Sequence, residues 1–180
     1  MLEVAVPQIE LFNNDTNEFT QLPAVTLRFE HSLKAIGEWE AIWKVPFLSE
    51  NEKTKEMSDS YLMCMCLTPG VDRDVFRYLP DDCLEQIAAY MQDEKTATVF
   101  SSVGGNAGKK KMITSEEIYY WMIEAGIPFS CETWHISRLL TLIRICGINM
   151  SDRKKMSRKE VAAQNRALNE ARRAKYHTRG

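Results

Sequence analysis

Residues 113–149 read ITSEEIYYWMIEAGIPFSCETWHISRLLTLIRICGIN, and no other stretch of the chain carries so strong a folding signal. Thr114 and Glu117 stand at capping-box spacing, with Ile113 and Ile118 placed as the hydrophobic staple around them. Ile118, Trp121, Met122 and Ala125 then share one side of a helix, and Gly126 followed by Pro128 supplies a stop. The grammar repeats. Ser130 is placed to cap a second helix, Ile136, Leu139, Leu140, Ile143 and then Ile145 or Cys146 follow at helical spacing, and Gly147 closes it. Its wide apolar arc is that of a centrally buried element. Two such helices joined by a short turn predict an αα-hairpin, and with it a mainly α fold.

Working upstream, SLKAIGEWEAIWKVPFL (32–48) has a helical period, a capping Ser32 and a stop at Pro46. Trp39 and Trp43 lie one turn apart on one side, where they anchor the helix on the core or, alternatively, face a partner. A further helix is expected over about residues 53–67, starting from a Ser49/Glu52 capping box or from Thr54, and ending before Pro69-Gly70. Another begins near Pro80, with Leu84, Ile87, Ala88 and Met91 as its apolar side. At the N-terminus, Val25, Leu27 and Phe29 alternate with Thr26, Arg28 and Glu30, the period of a strand. This run and MLEVAVPQIELF, separated by a turn around Asn13–Asn17, predict a small β hairpin or ribbon that needs a body to lean on. TATVF (96–100) suits a short strand, and Gly104, Gly105 and Gly108 a connector loop.

The 180 residues suit one body, here 1–150 with its β element in 1–30, plus an appendage at 151–180. That appendage, SDRKKMSRKEVAAQNRALNEARRAKYHTRG, holds ten Lys or Arg against three Asp or Glu, and the whole chain has a net charge of −2, so the first 150 residues carry about −9. Ser157 and Glu160 stand at capping-box spacing, but apolar content then collapses, leaving a weak stripe of Val161, Ala162, Leu168 and Ala171. A protruding basic helix with a disordered end is the expectation, marginal until it docks on a partner.

Little in the chain suggests chemistry. The three histidines share no metal-ligand spacing, the five cysteines include no CxxC, and the acidic pairs Asp81-Asp82 and Glu116-Glu117 sit at helix starts where the dipole favours them. GGNAGKKK (104–111) lacks the Walker spacing and its hydroxyl residue. No catalytic, cofactor or metal residues are therefore assigned. MLEVAVPQIELF has neither the basic start nor the apolar run of a secretory signal, and no stretch approaches a membrane span, so reduced thiols and no membrane partner are expected.

Residues 113–149, with KKMSRKEVAAQNRALNEARR (154–173) behind them and FEHSLKAIGEWEAIWKVPFL (29–48) and TATVF ahead, resemble a family of tail assembly chaperones encoded by long-tailed bacteriophages and their prophages. The resemblance runs from about residue 22 to the end. It implies a non-enzymatic, largely helical factor in the cytoplasm of the bacterial host, absent from the mature virion. Its expected partner is the tape measure protein, kept soluble while tail tube protein polymerises around it, and self-association is a further expectation. Candidate partner-binding residues are Trp39, Trp43, Tyr119, Tyr120, Trp121 and Trp134 in the body and Arg158, Arg166, Arg172 and Arg173 in the tail. Two alternatives remain open: a nucleic-acid-binding module using the basic helix, which the acidic body disfavours, and a structural tail or connector protein of the virion.

Overall fold

The structure, a computed structural model, describes residues 1–13, 17–49, 51–98, 113–154, 166–167 and 169–170. In chain order these form β1 (Leu2–Val6), β2 (Ile9–Asn13), β3 (Glu18–Leu22), β4 (Val25–Phe29), α1 (Leu33–Trp43), α2 (Lys55–Met65), α3 (Arg73–Arg77), α4 (Asp81–Gln92), α5 (Ser115–Glu124), a 3₁₀ turn at Phe129–Thr133, and α6 (Ile136–Lys154). The fold is mainly helical, with a small antiparallel β element that does not close into a barrel. The chain divides into two compact units, Met1–Ile143 and Arg144–Gly180.

In the first unit, β1 pairs with β4 and β2 with β3, both antiparallel. The two pairs keep one register: Leu2 faces Phe29 and Ile9 faces Leu22, so the numbers of facing residues sum to 31 in both. They are two halves of one long ribbon. Pro7 and Pro23, which have no N–H to give to a ladder, stand at the break between them. The expected ribbon is thus present in its inner half, β1 with β4, where Val4, Val6, Leu27 and Phe29 are buried. Its outer half was not anticipated. After α2 the chain returns along β4: Glu30 donates its N–H to the Met65 carbonyl at 3.0 Å, and the Leu67 N–H reaches Arg28 at 2.7 Å.

Helix starts follow the local signals in several places. The Ser32 Oγ accepts the Ala35 N–H at 3.3 Å and Thr114 Oγ1 accepts that of Glu117 at 3.4 Å. Gly126 takes φ +66°, the left-handed cap expected of it. α2 starts from Thr54, whose Oγ1 accepts the Met57 N–H; the Ser49/Glu52 box is not used. Ser49 instead turns its hydroxyl back to the Pro46 carbonyl.

Four expectations need correction. α5 packs on α1, not along α6, so there is no αα-hairpin among the described residues. Ser130 lies inside the 3₁₀ turn and does not cap α6; the chain folds back there because Ile136 donates its N–H to the His31 carbonyl at 2.7 Å, and His135 takes over the cap through Nδ1. Gly147 does not close α6, which continues helically to Lys154. Nor is α6 buried centrally: Ile136 and Leu139 are in the core, but Leu140, Leu142 and Ile143 are only half-buried. The core is instead centred on α1, α2 and the inner ribbon, with Leu27, Phe29, Leu33, Ile36, Trp39 and Met65 fully enclosed. Of the expected TATVF strand, Thr96–Thr98 are not in a strand, and its last two residues, like the glycine-lysine loop, lie outside the described residues.

In the second unit, the described residues are the end of α6 and the helical residues at 166–167 and 169–170. The rest of the expected basic helix falls outside them.

Candidate functional site

The sequence named aromatic side chains as contact residues, and the structure sorts them. Trp39 is 0% exposed and its indole N–H donates to the Met57 carbonyl at 2.8 Å, so it fixes α1 to α2 and presents no surface. Trp43 is half-buried with its N–H on Ser60 Oγ at 3.1 Å. The anchoring reading therefore describes this pair, and a partner-binding role for Trp39 is corrected. Tyr119, half-buried, donates to Glu132 Oε2 at 2.7 Å and lies 5.9 Å from the Phe129 ring, linking α5 to the 3₁₀ turn. Tyr120 is 56% exposed beside Glu124, whose carboxylate pushes its hydroxyl pKa up. Trp121 is half-buried on the same helix, which also exposes Ile123. Trp134 is half-buried under the Arg138 guanidinium, 4.3 Å from its ring. Arg166 is helical and its side chain exposed; Arg158, Arg172 and Arg173 lie outside the described residues. Among the body candidates, Trp39 and Trp43 thus bond to α2, Tyr119 to the 3₁₀ turn, and Trp134 lies under Arg138 of α6.

A site that the sequence did not single out lies between α2 and α4. The apolar stripe read on α4, Leu84, Ile87, Ala88 and Met91, is real but mostly not the core face. α4 packs on β1 with Cys83, Ile87 and Tyr90 buried, Cys83 lying against Ala5, while Leu84 is 38% exposed and Met91 half-buried. Those residues instead wall one side of an apolar groove of about 290 Å³. Ser58, Tyr61 and Leu62 of α2 form the opposite wall at i, i+3 and i+4, and Phe47 joins them with its ring 4.0 Å from that of Tyr61. At the mouth, the Lys53 ammonium sits 4.8 Å from the Phe47 centroid, a cation held over an aromatic face. The groove is a row of aliphatic and aromatic side chains between two helices, with a single positive charge contributed to its lining.

Nearby polar groups serve the fold. The Tyr61 hydroxyl bonds His31 Nδ1 at 2.5 Å, and the two histidine rings meet edge to face at 5.3 Å. Burial, and secondarily His135, lowers the His31 pKa to about 4, so the ring is neutral at pH 7 and shares a hydrogen bond with the Tyr61 hydroxyl. His135 donates from Nε2 to the Tyr90 carbonyl at 3.2 Å while Nδ1 accepts from Ser137, so both of its nitrogens are committed. A second, more polar cavity of about 370 Å³ beside this pair includes Glu30, Tyr90, Lys95, Trp134 and Arg138 in its wall. There Tyr90 donates its hydroxyl to Glu30 at 2.7 Å.

The five cysteines form no disulfide, and burial pushes the Cys64 thiol up to about 11 and raises those of Cys66 and Cys83, so these three remain protonated at neutral pH. Among the described residues, no group of three or more His, Cys, Asp or Glu is placed to hold a metal ion, and no helix is long and apolar enough to cross a membrane. In comparisons with known proteins, no family model, no curated protein and no solved structure matches the chain.

Proposed function

We propose that the protein is a non-enzymatic tail assembly chaperone that binds the tape measure protein of a long-tailed phage and keeps it from aggregating during tail tube assembly. The observation that carries this reading is the apolar groove between α2 and α4. A tape measure protein is a long helical chain whose apolar stripes are exposed before assembly, and a helix presents such a stripe as anchors at i, i+3 and i+4. Leu84, Ala88 and Met91 on one wall offer matching apolar contacts, and the buried Tyr61 and Leu62 back the other. A groove of this size holds a few side chains and binds weakly, so many copies along one client would hold it by avidity. Exposed apolar side chains elsewhere in the first unit, Tyr120, Ile123 and Phe129, add adaptable contact area.

In this reading the basic C-terminal residues Arg158, Arg166, Arg172 and Arg173 capture acidic client segments, and the protein acts in the host cytoplasm and is left out of the virion. The test is affinity capture of the tape measure and tail tube proteins from co-expressing cells. Retention of the tape measure protein at both low and moderate salt supports the reading. Failure at both salts removes it, and recovery of the chain in purified particles would favour the structural-component alternative.

A further inference from the structure

We propose that the outer half of the β ribbon is a docking arm for a second copy of this chain, and that it receives the basic C-terminal segment of that copy. The proposal does not use the α2–α4 groove.

β2 and β3 pack substantially only on each other among the described elements, and a two-stranded ribbon is marginal in water without a partner. Facing residues of an antiparallel pair share a side, so Glu10, Gln21, Phe12 and Phe19 lie on one face. That face is open: Phe12 is 48% and Phe19 71% exposed, with their rings 4.9 Å apart, and Gln21 donates to Glu10 at 2.9 Å beside them. Two neighbouring phenylalanines displayed to solvent next to a carboxylate suit an arginine, whose guanidinium stacks on an aromatic ring while its N–H groups bond an acid. Arg138 already stacks this way on Trp134 in the same chain.

Charge selects the occupant. The first 27 residues hold four acidic side chains and no Lys or Arg, whereas residues 151–180 hold ten Lys or Arg against three acids. Glu10, on the phenylalanine face, would repel nucleic acid or an anionic membrane, but it complements that segment. Arm and segment are different surfaces, so their union is heterologous and repeats head to tail.

Sedimentation velocity of the full-length protein over a range of concentrations tests this. The expected result is a mass that grows with concentration at low salt and falls to the monomer at high salt. Two variants locate the contact: Glu10→Gln with Phe19→Ser in the arm, and Arg166→Gln with Arg172→Gln and Arg173→Gln in the tail. Each should weaken self-association about tenfold. Mixed one to one, they should form a dimer that grows no further, since each supplies one intact half of the contact. The tail variant leaves the arm untouched, so it decides the matter even if the arm variant fails to fold. A monomer at every concentration and salt, as docking within one chain or on a different protein would give, overturns the proposal. So does self-association that the tail variant leaves unchanged.

Discussion

The Glu40 carboxylate, on α1, holds the first residue of α5 by two bonds: its Oε2 accepts the Ser115 N–H at 2.8 Å and the Ser115 hydroxyl at 2.5 Å. Its other oxygen accepts the Phe47 N–H at 2.7 Å, and both Glu40 and Ser115 are buried. One acid thus satisfies an orphan donor at the start of α5 and fixes the turn that carries Phe47 into the groove wall. Glu40→Ala should cost about 3 kcal/mol, the loss of charge-assisted hydrogen bonds to groups that stay buried. Ser115→Ala should cost about 1–2 kcal/mol. A double-mutant cycle in urea should show the two effects falling well short of additive, and additive losses would mean the pair is not coupled.

Trp39 should behave as a core residue. Trp39→Ala is expected to lose about 3–5 kcal/mol in denaturant unfolding, since it opens a cavity and strips the Met57 carbonyl of its donor. A folded variant of near-normal stability that had lost only partner binding would reverse this assignment.

His31 makes the fold acid-sensitive. Its folded pKa of about 4 lies below the ordinary 6.5, so between those values the unfolded chain binds the extra proton and the folded one does not. The stability it contributes is complete above pH 6.5 and is lost as pH falls towards 4, amounting to roughly 3 kcal/mol. His135, also lowered by burial, acts in the same direction. His31→Gln should flatten that part of the stability profile measured by urea titration from pH 7 to pH 4; an unchanged slope would place the acid sensitivity elsewhere.

Two glycines should respond to alanine in opposite directions. Gly126, at φ +66°, should lose about 1 kcal/mol as Gly126→Ala. Gly147 lies within α6 with nothing inside 4 Å of an added Cβ, so Gly147→Ala should raise helicity, worth about 1 kcal/mol for that helix. Thermal unfolding followed by circular dichroism at 222 nm separates the two.

These glycines also show what was legible in the sequence. Where a signal acts through its own backbone, as at Ser32, Thr114 and Gly126, the sequence located the element. Gly147 lacked the second half of a stop, a left-handed backbone, and α6 ran through it. Ser130 had the chemistry of a cap, but the His31 carbonyl, distant in sequence, set where α6 begins. The stripe Leu84, Ile87, Ala88 and Met91 was correctly apolar; periodicity alone could not tell a core face from the wall of a groove, because that depends on α4 turning Cys83 to β1. The outer hairpin was missed because Phe12 and Phe19 face each other only through strand pairing.

The groove is the centre of the functional account, and its most direct test is the amount of tape measure protein that stays soluble and co-purifies when expressed with this chain. Leu84→Asp, at a partly exposed position, should fold normally and weaken capture about tenfold or more, while Lys34→Ala, at an exposed position on α1, should change it little. Full capture by the Leu84→Asp variant, with its folding confirmed, would contradict the account.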